Sequence, residues 1–378
     1  MKLIVLGAGL VGAPMAIDLA KDSEFEVSVA DLSNQALSKF DKYQSIKTIQ
    51  NDLSKPENIK SLVGDFDVVV SAVPGFMGFQ TLKSIIESGK NVVDIAFFPE
   101  DPFELDELAK KNNVTAIVDC GVAPGMSNIL IGHVDSLLDK SENVVIYVGG
   151  LPEVRKWPYE YKAPFSPIDV IEEYTRPARY VENGKMVILP ALSEPELIDF
   201  PEVGTLEVFN TDGLRSLAKT IDAPNMKEKT MRYPGHIEKM RILRETGYFS
   251  FDEIDIKGNK IRPIDLTTKL LFPMWKYHKG EADVTVMQVT VEGIKSGKRL
   301  RYKYDLLDRY DDATDTLSMA RTTGYTATMA IRLLTSGMYS QKGLTVPEYI
   351  GKHPECVEFL LNGLKDRGVI YKETIEKV

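Results

Sequence analysis

The chain has 378 residues, of which 43% are hydrophobic and 27% are charged. This length and balance predict a globular protein of two or three domains and exclude a disordered chain. A net charge of −9 and a pI near 5.2 argue against nucleic acid or an anionic membrane as the main partner, because both bind clustered cations. The expected partner is a small molecule, and a cationic one suits the acidic balance.

Cysteine and histidine usage points away from disulfides and bound metal. Cys120 and Cys356 lie far apart without Cys-x-x-Cys spacing, and the four histidines are scattered. No apolar stretch approaches the roughly 20 residues that cross a bilayer. We therefore expect reduced thiols, no metal and a cytoplasmic location.

The opening stretch, MKLIVLGAGLVGAPMAIDLA, allows two interpretations. It could be a signal peptide, or a strand, turn and helix built around a nucleotide. Residues 3–6 form an apolar run typical of a buried parallel strand, and the next glycines have the G-x-G-x-x-G spacing. Gly7 would permit the tight turn, Gly9 the approach of a pyrophosphate, and Gly12 close packing of helix on strand. The predicted cofactor contacts here are Gly7, Gly9, Leu10, Val11 and Gly12.

The end of the next strand decides between these interpretations. Residues 26–30 read as that strand, and Asp31 stands at its end, 19 residues after Gly12. A carboxylate there would accept hydrogen bonds from the ribose hydroxyls of NAD and repel a 2′-phosphate. No basic residue follows directly, since Leu32 comes next, so the pattern favours NAD over NADP and a cofactor site over a signal peptide.

Further predicted strands follow at the spacing that is typical of a doubly wound α/β sheet. The candidates are residues 47–50, 66–72, 89–94 and 114–120. Together with the first two they predict a Rossmann unit of six parallel strands. Its remaining predicted cofactor contacts lie after the third and fourth strands: Asp52, Leu53, Ala72, Val73 and Pro74.

The region after the sheet has a different character. Strand-like pieces separated by loops and helices, at 143–148, 185–189, 206–209, 230–233 and 284–291, predict a mixed or antiparallel sheet and an α+β domain. Long helices are expected at 320–334 and 354–367. We therefore predict a Rossmann domain over 1–124, completed by 335–378, and a substrate and oligomerisation domain over 125–334.

Several tracts of this second region resemble one known family. They are VDCGVAPGMSN, YVGGLP, YTRPA, LSEPE, FNTDGLR and TMRYPGH, the first ending at Asn128 and the last at His236. These tracts are similar to those of the saccharopine dehydrogenase-like family, and most closely to those of lysine 6-dehydrogenases. The resemblance runs from the first strand to the last helices and is far more specific than the glycine turn.

The resemblance implies a homo-oligomeric, dimeric, NAD-dependent oxidoreductase. Such an enzyme oxidises the ε-carbon of L-lysine to 2-aminoadipate 6-semialdehyde, which cyclises to 1-piperideine-6-carboxylate. Saccharopine reductases and carboxynorspermidine dehydrogenases, which form C–N bonds reductively with NADPH, resemble the chain nearly as well. The exact amine is therefore open at this point.

Two acids are candidates for proton transfer. Asp94 and Asp119 each end a predicted parallel strand, at the edge where Rossmann ligands bind. Removing hydride from a carbon that bears nitrogen requires a neutral amine, so one carboxylate must take the ammonium proton. We favour Asp94 as the base, and the alternative for either residue is a carboxylate that only caps the following turn.

Four more residues complete the predicted site. Asn128 begins a helix just after the Rossmann unit, and Tyr233 lies in the MRYPGH tract; both are predicted to contact substrate. Arg215 would bind the substrate carboxylate, or else be a surface arginine. His236 would be a proton shuttle, or else a structural hydrogen-bonding group.

Overall fold

The computed structural model describes residues 1–378, and the chain divides into two units. Unit 1 comprises Met1–Leu137 and Met319–Tyr371, and unit 2 comprises Leu138–Ser318 and Lys372–Val378. Each unit is thus built from two separate stretches of the chain.

The first stretch of unit 1 alternates strands and helices. Its strands are Lys2–Leu6 (β1), Glu26–Asp31 (β2), Ile46–Gln50 (β3), Val68–Ser71 (β4), Asn91–Asp94 (β5) and Thr115–Ile117 (β6). Its helices are Gly12–Leu19 (α1), Asn34–Leu37 (α2), Pro56–Val63 (α3), Gly75–Glu87 (α4), Asp106–Lys111 (α5) and Met126–Leu137 (α6).

Unit 2 is richer in strands. They are Lys140–Pro152 (β7), Ala178–Glu182 (β8), Lys185–Leu189 (β9), Glu196–Phe200 (β10), Gly204–Asn210 (β11), Asn225–Arg232 (β12), Ile254–Ile256 (β13), Asn259–Ile261 (β14), Asp283–Lys295 (β15) and Lys298–Arg309 (β16). Its helices are Pro167–Thr175 (α7), Leu217–Thr220 (α8), His236–Glu245 (α9) and Pro263–Trp275 (α10).

The last stretch of the chain contributes to both units. Its elements are Ser318–Thr335 (α11), Gly343–Thr345 (β17), Pro347–Gly351 (α12), Pro354–Asp366 (α13) and Tyr371–Lys377 (β18). None of the helices combines the length and hydropathy that a bilayer crossing requires.

The sheet of unit 1 is parallel throughout, in the order β17-β6-β5-β4-β1-β2-β3. All six predicted strands are present, and the four residues of the opening apolar run, Leu3–Leu6, are completely buried. Burial on both faces explains why these strands are continuously apolar. The Rossmann-type α/β prediction is therefore confirmed, and the chain end adds a seventh strand, β17, beside β6.

The main sheet of unit 2 has nine strands, with β10-β11-β12-β7-β15-β16-β18 in sequence and β8 and β9 paired beside β12. Strands β7 and β12 are parallel neighbours, whereas β10–β11, β11–β12, β7–β15, β15–β16, β8–β12 and β8–β9 pair antiparallel. This mixed sheet confirms the predicted α+β character.

The limits of the units differ from those of the predicted domains. Helices α6 and α11 lie in unit 1, whereas the prediction placed both in the second domain, and residues 372–378 lie in unit 2. The reason is long-range pairing, because β18 joins the edge of the unit 2 sheet at β16 and α6 packs against α12. Local sequence patterns do not specify such partners.

One buried carboxylate joins the two stretches of unit 1. Asp18 of α1 is 1% exposed and accepts hydrogen bonds from Thr328 Oγ1 at 2.7 Å, Arg332 Nη1 at 2.8 Å and Arg367 Nε at 2.9 Å. Burial raises the pKa of Asp18, but these partners outweigh it and hold the pKa below its usual value. The charged network therefore ties α1 to the C-terminal helices.

Substitution of Asp18 should destabilise the protein. Asp18→Asn keeps the shape of the side chain but removes the charge that Arg367 and Arg332 share, and only Arg332 retains a second carboxylate, that of Asp22. We expect the free energy of unfolding at pH 7, measured in urea, to fall by about 3 kcal/mol. Because the folded pKa lies below the model-peptide value of 3.8, the wild-type contribution is present above that pH and is lost as the pH falls below it.

A matched control in the same unit is Glu87→Gln. Glu87 pairs with Lys60 at the surface, so its loss should change the free energy of unfolding by less than about 1 kcal/mol. A loss in Asp18→Asn no larger than in this control would contradict the proposed role of the network.

Candidate active site

The glycine turn of unit 1 has the geometry of a pyrophosphate cradle. Gly7 adopts a φ of +106°, and a Cβ on it would lie 2.6 Å from the carbonyl oxygen of Ala72. A Cβ on Gly12 would lie 2.1 Å from the carbonyl oxygen of Gly7. A Cβ on Gly9 would meet nothing within 4 Å, so the backbone there faces open space where a ligand can approach.

The helix that follows this turn has no side-chain cap. Val11 is its N-cap residue, no side chain accepts a hydrogen bond there, and its first turn carries no acid. The N–H groups of a first helical turn lack intrahelical partners and favour an anion. Leu10, just before the helix, is exposed. The residues present therefore fit the pyrophosphate of a dinucleotide.

Asp31 closes the other side of this cradle. Its Oδ2 accepts a hydrogen bond from the Ala8 N–H and its Oδ1 accepts one from the Ser33 N–H, both at 2.8 Å. Each oxygen keeps a lone pair for a further donor. Leu32 beside it is exposed, as a residue that borders an adenosine would be.

The remaining predicted cofactor residues differ in exposure. The carboxylate of Asp52 accepts from the hydroxyl of Ser54 at 2.6 Å, and hydrogen bonds from Ser54 lower the pKa of Asp52. Leu53 is buried in the core of unit 1. At the end of β4, Ala72 and Pro74 are partly exposed and Val73 is buried.

The two predicted acids lie at the carboxyl ends of neighbouring strands. Asp94 is the last residue of β5, is completely buried, and accepts a hydrogen bond from the Ala96 N–H at 3.1 Å through Oδ2. Asp119 follows β6 with a φ of +51° and is 2% exposed. Asp94 therefore does cap the following turn, which is the structural alternative, and this contact occupies one of its oxygens.

Cys120 is a buried thiol beside two acids. Burial first, and then the charges of Asp119 and Asp94, raise the pKa of its thiol to about 12. The thiol therefore stays protonated near neutral pH and is a poor nucleophile. The Cys120 N–H also donates to the Asp94 carbonyl at 3.0 Å, and Asp119 precedes Cys120 in the chain, so both acids lie beside this cysteine.

The side chain of Asn128 makes its hydrogen bonds within unit 1. It is completely buried, its Oδ1 accepts from Ser127 Oγ at 3.0 Å, and its Nδ2 donates to Glu348 Oε2 at 3.4 Å. The amide thus joins the start of α6 to α12. This geometry supports a structural role and offers no surface for the substrate contact that the sequence predicted.

A buried guanidinium organises the polar interior of unit 2. Arg232, the last residue of β12, donates from Nε to Tyr174 Oη at 3.0 Å and from Nη2 to Glu173 Oε2 at 2.6 Å. Its guanidinium carbon lies 4.5 Å from the ring centroid of Tyr161. We call these residues and His236 the Arg232 cluster.

His236 belongs to this cluster as a neutral ring. Its Nδ1 lies 2.9 Å from the Tyr159 carbonyl oxygen, which can only accept, so Nδ1 carries the proton. Its Nε2 then accepts from Tyr174 Oη at 3.0 Å. Burial, together with the charge of Arg232, lowers the pKa of His236 to about 3. The geometry favours the structural alternative over a proton shuttle.

The two other predicted substrate residues are both buried in unit 2. Tyr233 donates its hydroxyl to the Pro152 carbonyl at 2.9 Å. Arg215 is 9% exposed and adopts a φ of +52°, so it is not a surface arginine. Burial, and then the charge of Arg215, lower the pKa of Arg176, which shows that the two guanidiniums are neighbours.

Several polar residues of this interior were missed by the sequence reasoning. Tyr174 and Arg176 both lie in the YTRPA tract, which resembles the family but offers no separate chemical signal. Glu228 lies on β12, and burial raises its pKa to about 8, while the Thr211 hydroxyl donates to it. Its carboxyl is therefore largely protonated at neutral pH. The only sequence signal for Glu228 is its position among the residues of β12 that alternate with buried neighbours.

Comparison with known families agrees with the motifs. The model of the saccharopine dehydrogenase NADP binding domain matches residues 3–117, and that of the saccharopine dehydrogenase C-terminal domain matches residues 121–369. The chain therefore belongs to the saccharopine dehydrogenase family, which confirms the resemblance.

Similar proteins include bovine mitochondrial alpha-aminoadipic semialdehyde synthase, which is 25% identical over 98% of this chain and 47% of its own length. The chain thus spans about half the length of that relative. The NADP(+), L-glutamate-forming saccharopine dehydrogenase of Schizosaccharomyces pombe is 24% identical over 92% of this chain and 93% of its own. Apo saccharopine dehydrogenase (L-Glu forming) from Saccharomyces cerevisiae shares the fold, with a TM-score of 0.80 at 21% identity over 99% of both chains.

The glycine turn provides a matched pair of variants. Gly9→Ala places a methyl group in open space, so we expect an unchanged melting temperature and at least a tenfold weaker binding of nicotinamide dinucleotide, about 1.4 kcal/mol. Gly12→Ala meets the Gly7 carbonyl and should destabilise the fold by about 2 kcal/mol. Thermal unfolding and fluorescence titration with reduced dinucleotide measure both. Unaltered binding by Gly9→Ala would argue against a pyrophosphate at this turn.

The neutral ring of His236 should make stability depend on pH. Its folded pKa of about 3 lies below the model-peptide value of 6.5, so the unfolded chain binds the extra proton as the pH falls. The contribution is present above pH 6.5 and is lost toward pH 3. Between about pH 6 and 4.5, urea unfolding should show a slope about 1.4 kcal/mol per pH unit steeper in the wild type than in His236→Gln.

The control for this comparison is His278→Gln. His278 is exposed, so this variant should keep the slope of the wild type. Equal slopes in all three proteins would mean that His236 is not held neutral.

Proposed function

We propose that the chain is an NAD-dependent dehydrogenase that oxidises the ε-carbon of L-lysine. The observation that carries this proposal is the cradle of unit 1, in which Asp31 stands where the ribose hydroxyls of a dinucleotide would bind. Both oxygens of this carboxylate are oriented by backbone N–H groups, and a negative charge there disfavours a 2′-phosphate. The similarity to lysine 6-dehydrogenase tracts supports lysine as the amine.

The proposed carboxylate contact of lysine is Arg215. The positive charge of buried Arg215 acts on partly buried Arg176, whose other charged neighbours are Glu172 and Asp212, and a substrate carboxylate would add a further counter-charge. A planar guanidinium is suited to bidentate carboxylate binding. Arg215 adopts a positive φ in the turn after β11.

Asp94 is the proposed base. Its Oδ2 accepts from the backbone of the turn, and the proposed role is that Oδ1 takes the proton of the ε-ammonium, leaving a neutral amine. When bound, NAD supplies the chemistry of hydride acceptance from the ε-carbon. Asp119, at the same edge of the sheet, is the proposed partner for the water that then adds to the iminium. Loss of ammonia gives the aldehyde, which cyclises with the α-amine.

A second candidate is reductive C–N bond formation with NADPH, as in saccharopine reductases. The observation that favours it is the similarity to NADP(+), L-glutamate-forming saccharopine dehydrogenases over most of the chain. The family model of the N-terminal domain likewise bears the name of an NADP binding domain. Carboxyaminopropylagmatine dehydrogenase of Synechocystis, 22% identical over 93% of this chain, acts on a related class of amines by its name.

A substrate panel separates these candidates. The purified protein is incubated with NAD or NADP and with L-lysine, ornithine, saccharopine or polyamines, and the absorbance of the reduced nicotinamide is followed. Reduction of NAD by lysine is the expected result. Turnover of saccharopine but not of lysine would replace the first proposal by the second.

Asp94→Asn tests the base. The amide cannot accept the ammonium proton, so kcat should fall by about 10² to 10⁴ while dinucleotide affinity stays unchanged. Both values come from steady-state kinetics and from titration with reduced dinucleotide. The control is Asp101→Asn, at a separate turn of unit 1, which should keep kcat. Near-normal turnover in Asp94→Asn would move the role to another residue.

Arg215→Gln tests the carboxylate contact. Loss of a charge-assisted hydrogen bond should raise KM for lysine by about tenfold or more. A diamine of the same length without a carboxylate lacks that contact, so its turnover by the variant should equal that by the wild type. An equal loss for both compounds would show that Arg215 stabilises the fold instead.

A further inference from the structure

The turn that carries Arg215 is built against a residue of the neighbouring strand. Strands β11 and β12 are antiparallel neighbours, and the chain turns directly after β11. We call residues 211–215 the Arg215 turn. Its first residue, Thr211, donates its N–H to the Glu228 carbonyl at 3.5 Å. Glu228, which is 5% exposed, is therefore the residue of β12 that lies opposite the start of the turn.

The carboxyl of Glu228 occupies the space where a side chain at position 213 would lie. A Cβ on Gly213 would be 2.1 Å from Glu228 Oε2 and 2.2 Å from the carboxyl carbon. Gly213 does not adopt a positive φ, so its backbone conformation is open to other residues. The close contact with the carboxyl therefore accounts for a glycine at this position, two residues before Arg215.

Two hydroxyl groups fix the direction of this carboxyl. Thr211 Oγ1 donates a hydrogen bond to Glu228 Oε2. Thr230 Oγ1 lies 2.9 Å from Thr211 Oγ1, and it is the donor of this second bond because the single proton of the Thr211 hydroxyl is already used. All three side chains are at most 5% exposed. The carboxyl thus contacts the turn at two points, the Thr211 hydroxyl and the Gly213 backbone.

The charged groups that act on Glu228 come from three parts of unit 2. They are Glu173 of α7, Asp212 of the turn and Arg232 at the end of β12. Burial first, and then the two carboxylates, raise the pKa of Glu228 to about 8, against the Thr211 hydrogen bond and the charge of Arg232. The carboxyl is therefore mostly protonated at pH 7 and becomes a further negative charge above its pKa.

Ionisation of this carboxyl disturbs the turn. The Asp212 carboxylate is bound by Arg179 through two hydrogen bonds, at 2.7 and 2.8 Å, and Asp212 is 5% exposed. A negative charge on Glu228 therefore acts on a negative charge inside the turn itself, and like charges in a buried site repel one another. This repulsion opposes the two contacts that hold the turn in place.

We infer that Glu228 is a positioning residue: its carboxyl holds the Arg215 turn in the conformation that binds the substrate carboxylate. This inference rests on the proposed function, in which Arg215 is the carboxylate contact. Glu228 contacts no substrate and acts through the turn. Its protonated form favours binding, because it adds no negative charge beside the bound carboxylate.

Glu228→Gln tests this role, because an amide keeps the shape of the protonated acid, accepts from the Thr211 hydroxyl and does not ionise. At pH 7 the KM of this variant for lysine should be close to that of the wild type. By about pH 9 the KM of the wild type should rise about tenfold relative to that of the variant, since about nine-tenths of the carboxyl is then ionised. The ratio of the two kcat values should stay constant. Steady-state kinetics at saturating dinucleotide measures both constants.

Two controls separate this role from a general effect on the fold. Glu292→Gln changes a half-buried carboxylate on β15 of the same sheet, which pairs with Arg301 at 2.6 Å. Its KM should follow the pH dependence of the wild type. A diamine of the same length as lysine lacks the carboxylate, so its kcat/KM in Glu228→Gln relative to the wild type should not change with pH.

Gly213→Ala tests the same contact from the side of the turn. The methyl group displaces the Glu228 carboxyl, so KM for lysine should rise by about tenfold or more both at pH 7 and at about pH 9. Thermal unfolding establishes that the variant is folded. An unchanged KM in folded Gly213→Ala would contradict the inference.

The wild type and Glu228→Gln would overturn the inference if their KM values had the same pH dependence. Turnover of saccharopine instead of lysine would remove the proposed function but not this test, because saccharopine also carries carboxylates and its KM then replaces that of lysine. Turnover of carboxylate-free amines alone would overturn both.

Discussion

A carboxylate that is buried away from water is stable only with cations beside it. In unit 1 this requirement joins the two ends of the chain. Asp18 finds its partners 310 and 349 residues further along, in Thr328 and Arg367. The helix that carries Asp18 is also the one whose first turn faces the glycine cradle. The C-terminal helices therefore hold in place the element on which cofactor binding depends, and residues 1–137 alone would lack the hydrogen-bond donors of Thr328, Arg332 and Arg367.

Unit 2 also depends on a buried charge with compensating neighbours, but here the charge is positive. The buried guanidinium of Arg232 is satisfied by the Glu173 carboxylate and the Tyr174 hydroxyl, and its face lies over the ring of Tyr161. This positive charge, added to burial, keeps His236 neutral. The histidine therefore serves as an acceptor that orients Tyr174. Burial first, and then this buried charge, thus keep His236 neutral, and the Arg232 hydrogen bond to Tyr174 directs the Tyr174 hydroxyl toward His236.

The proposed chemistry divides between backbone and side chains. The dinucleotide cradle depends on glycines, because a Cβ on Gly7 or Gly12 would collide with a carbonyl oxygen. In the proposed function, the choice of cofactor and substrate depends instead on single side chains, Asp31 at the end of β2 and Arg215 in the turn after β11. This division explains why the family is evident from the sequence whereas the amine is not. A requirement on the backbone appears in the sequence as a spacing of glycines, whereas a requirement on a side chain appears only as a single residue.

Much of unit 1 was predictable because its signals are local. Continuous apolar runs mark strands that are buried on both faces, and the spacing of Gly7, Gly9 and Gly12 marks a turn with one steric solution. The sequence also placed Asp31, Asp94 and Asp119 at strand ends, because the prediction of a strand includes the prediction of the residue that ends it. Parallel packing then brings such ends to one edge without further information.

Tertiary structure alone decided the rest. That Asn128 is used inside unit 1, that His236 is neutral and that Arg215 is buried beside another guanidinium depend on partners far away in the sequence. The same holds for β18, which joins the sheet of unit 2 although the chain end was predicted to complete the Rossmann domain. The sequence by itself determined the family, the cofactor fold and the candidate residues. Burial and long-range pairing, which no local pattern encodes, decided the state of each candidate.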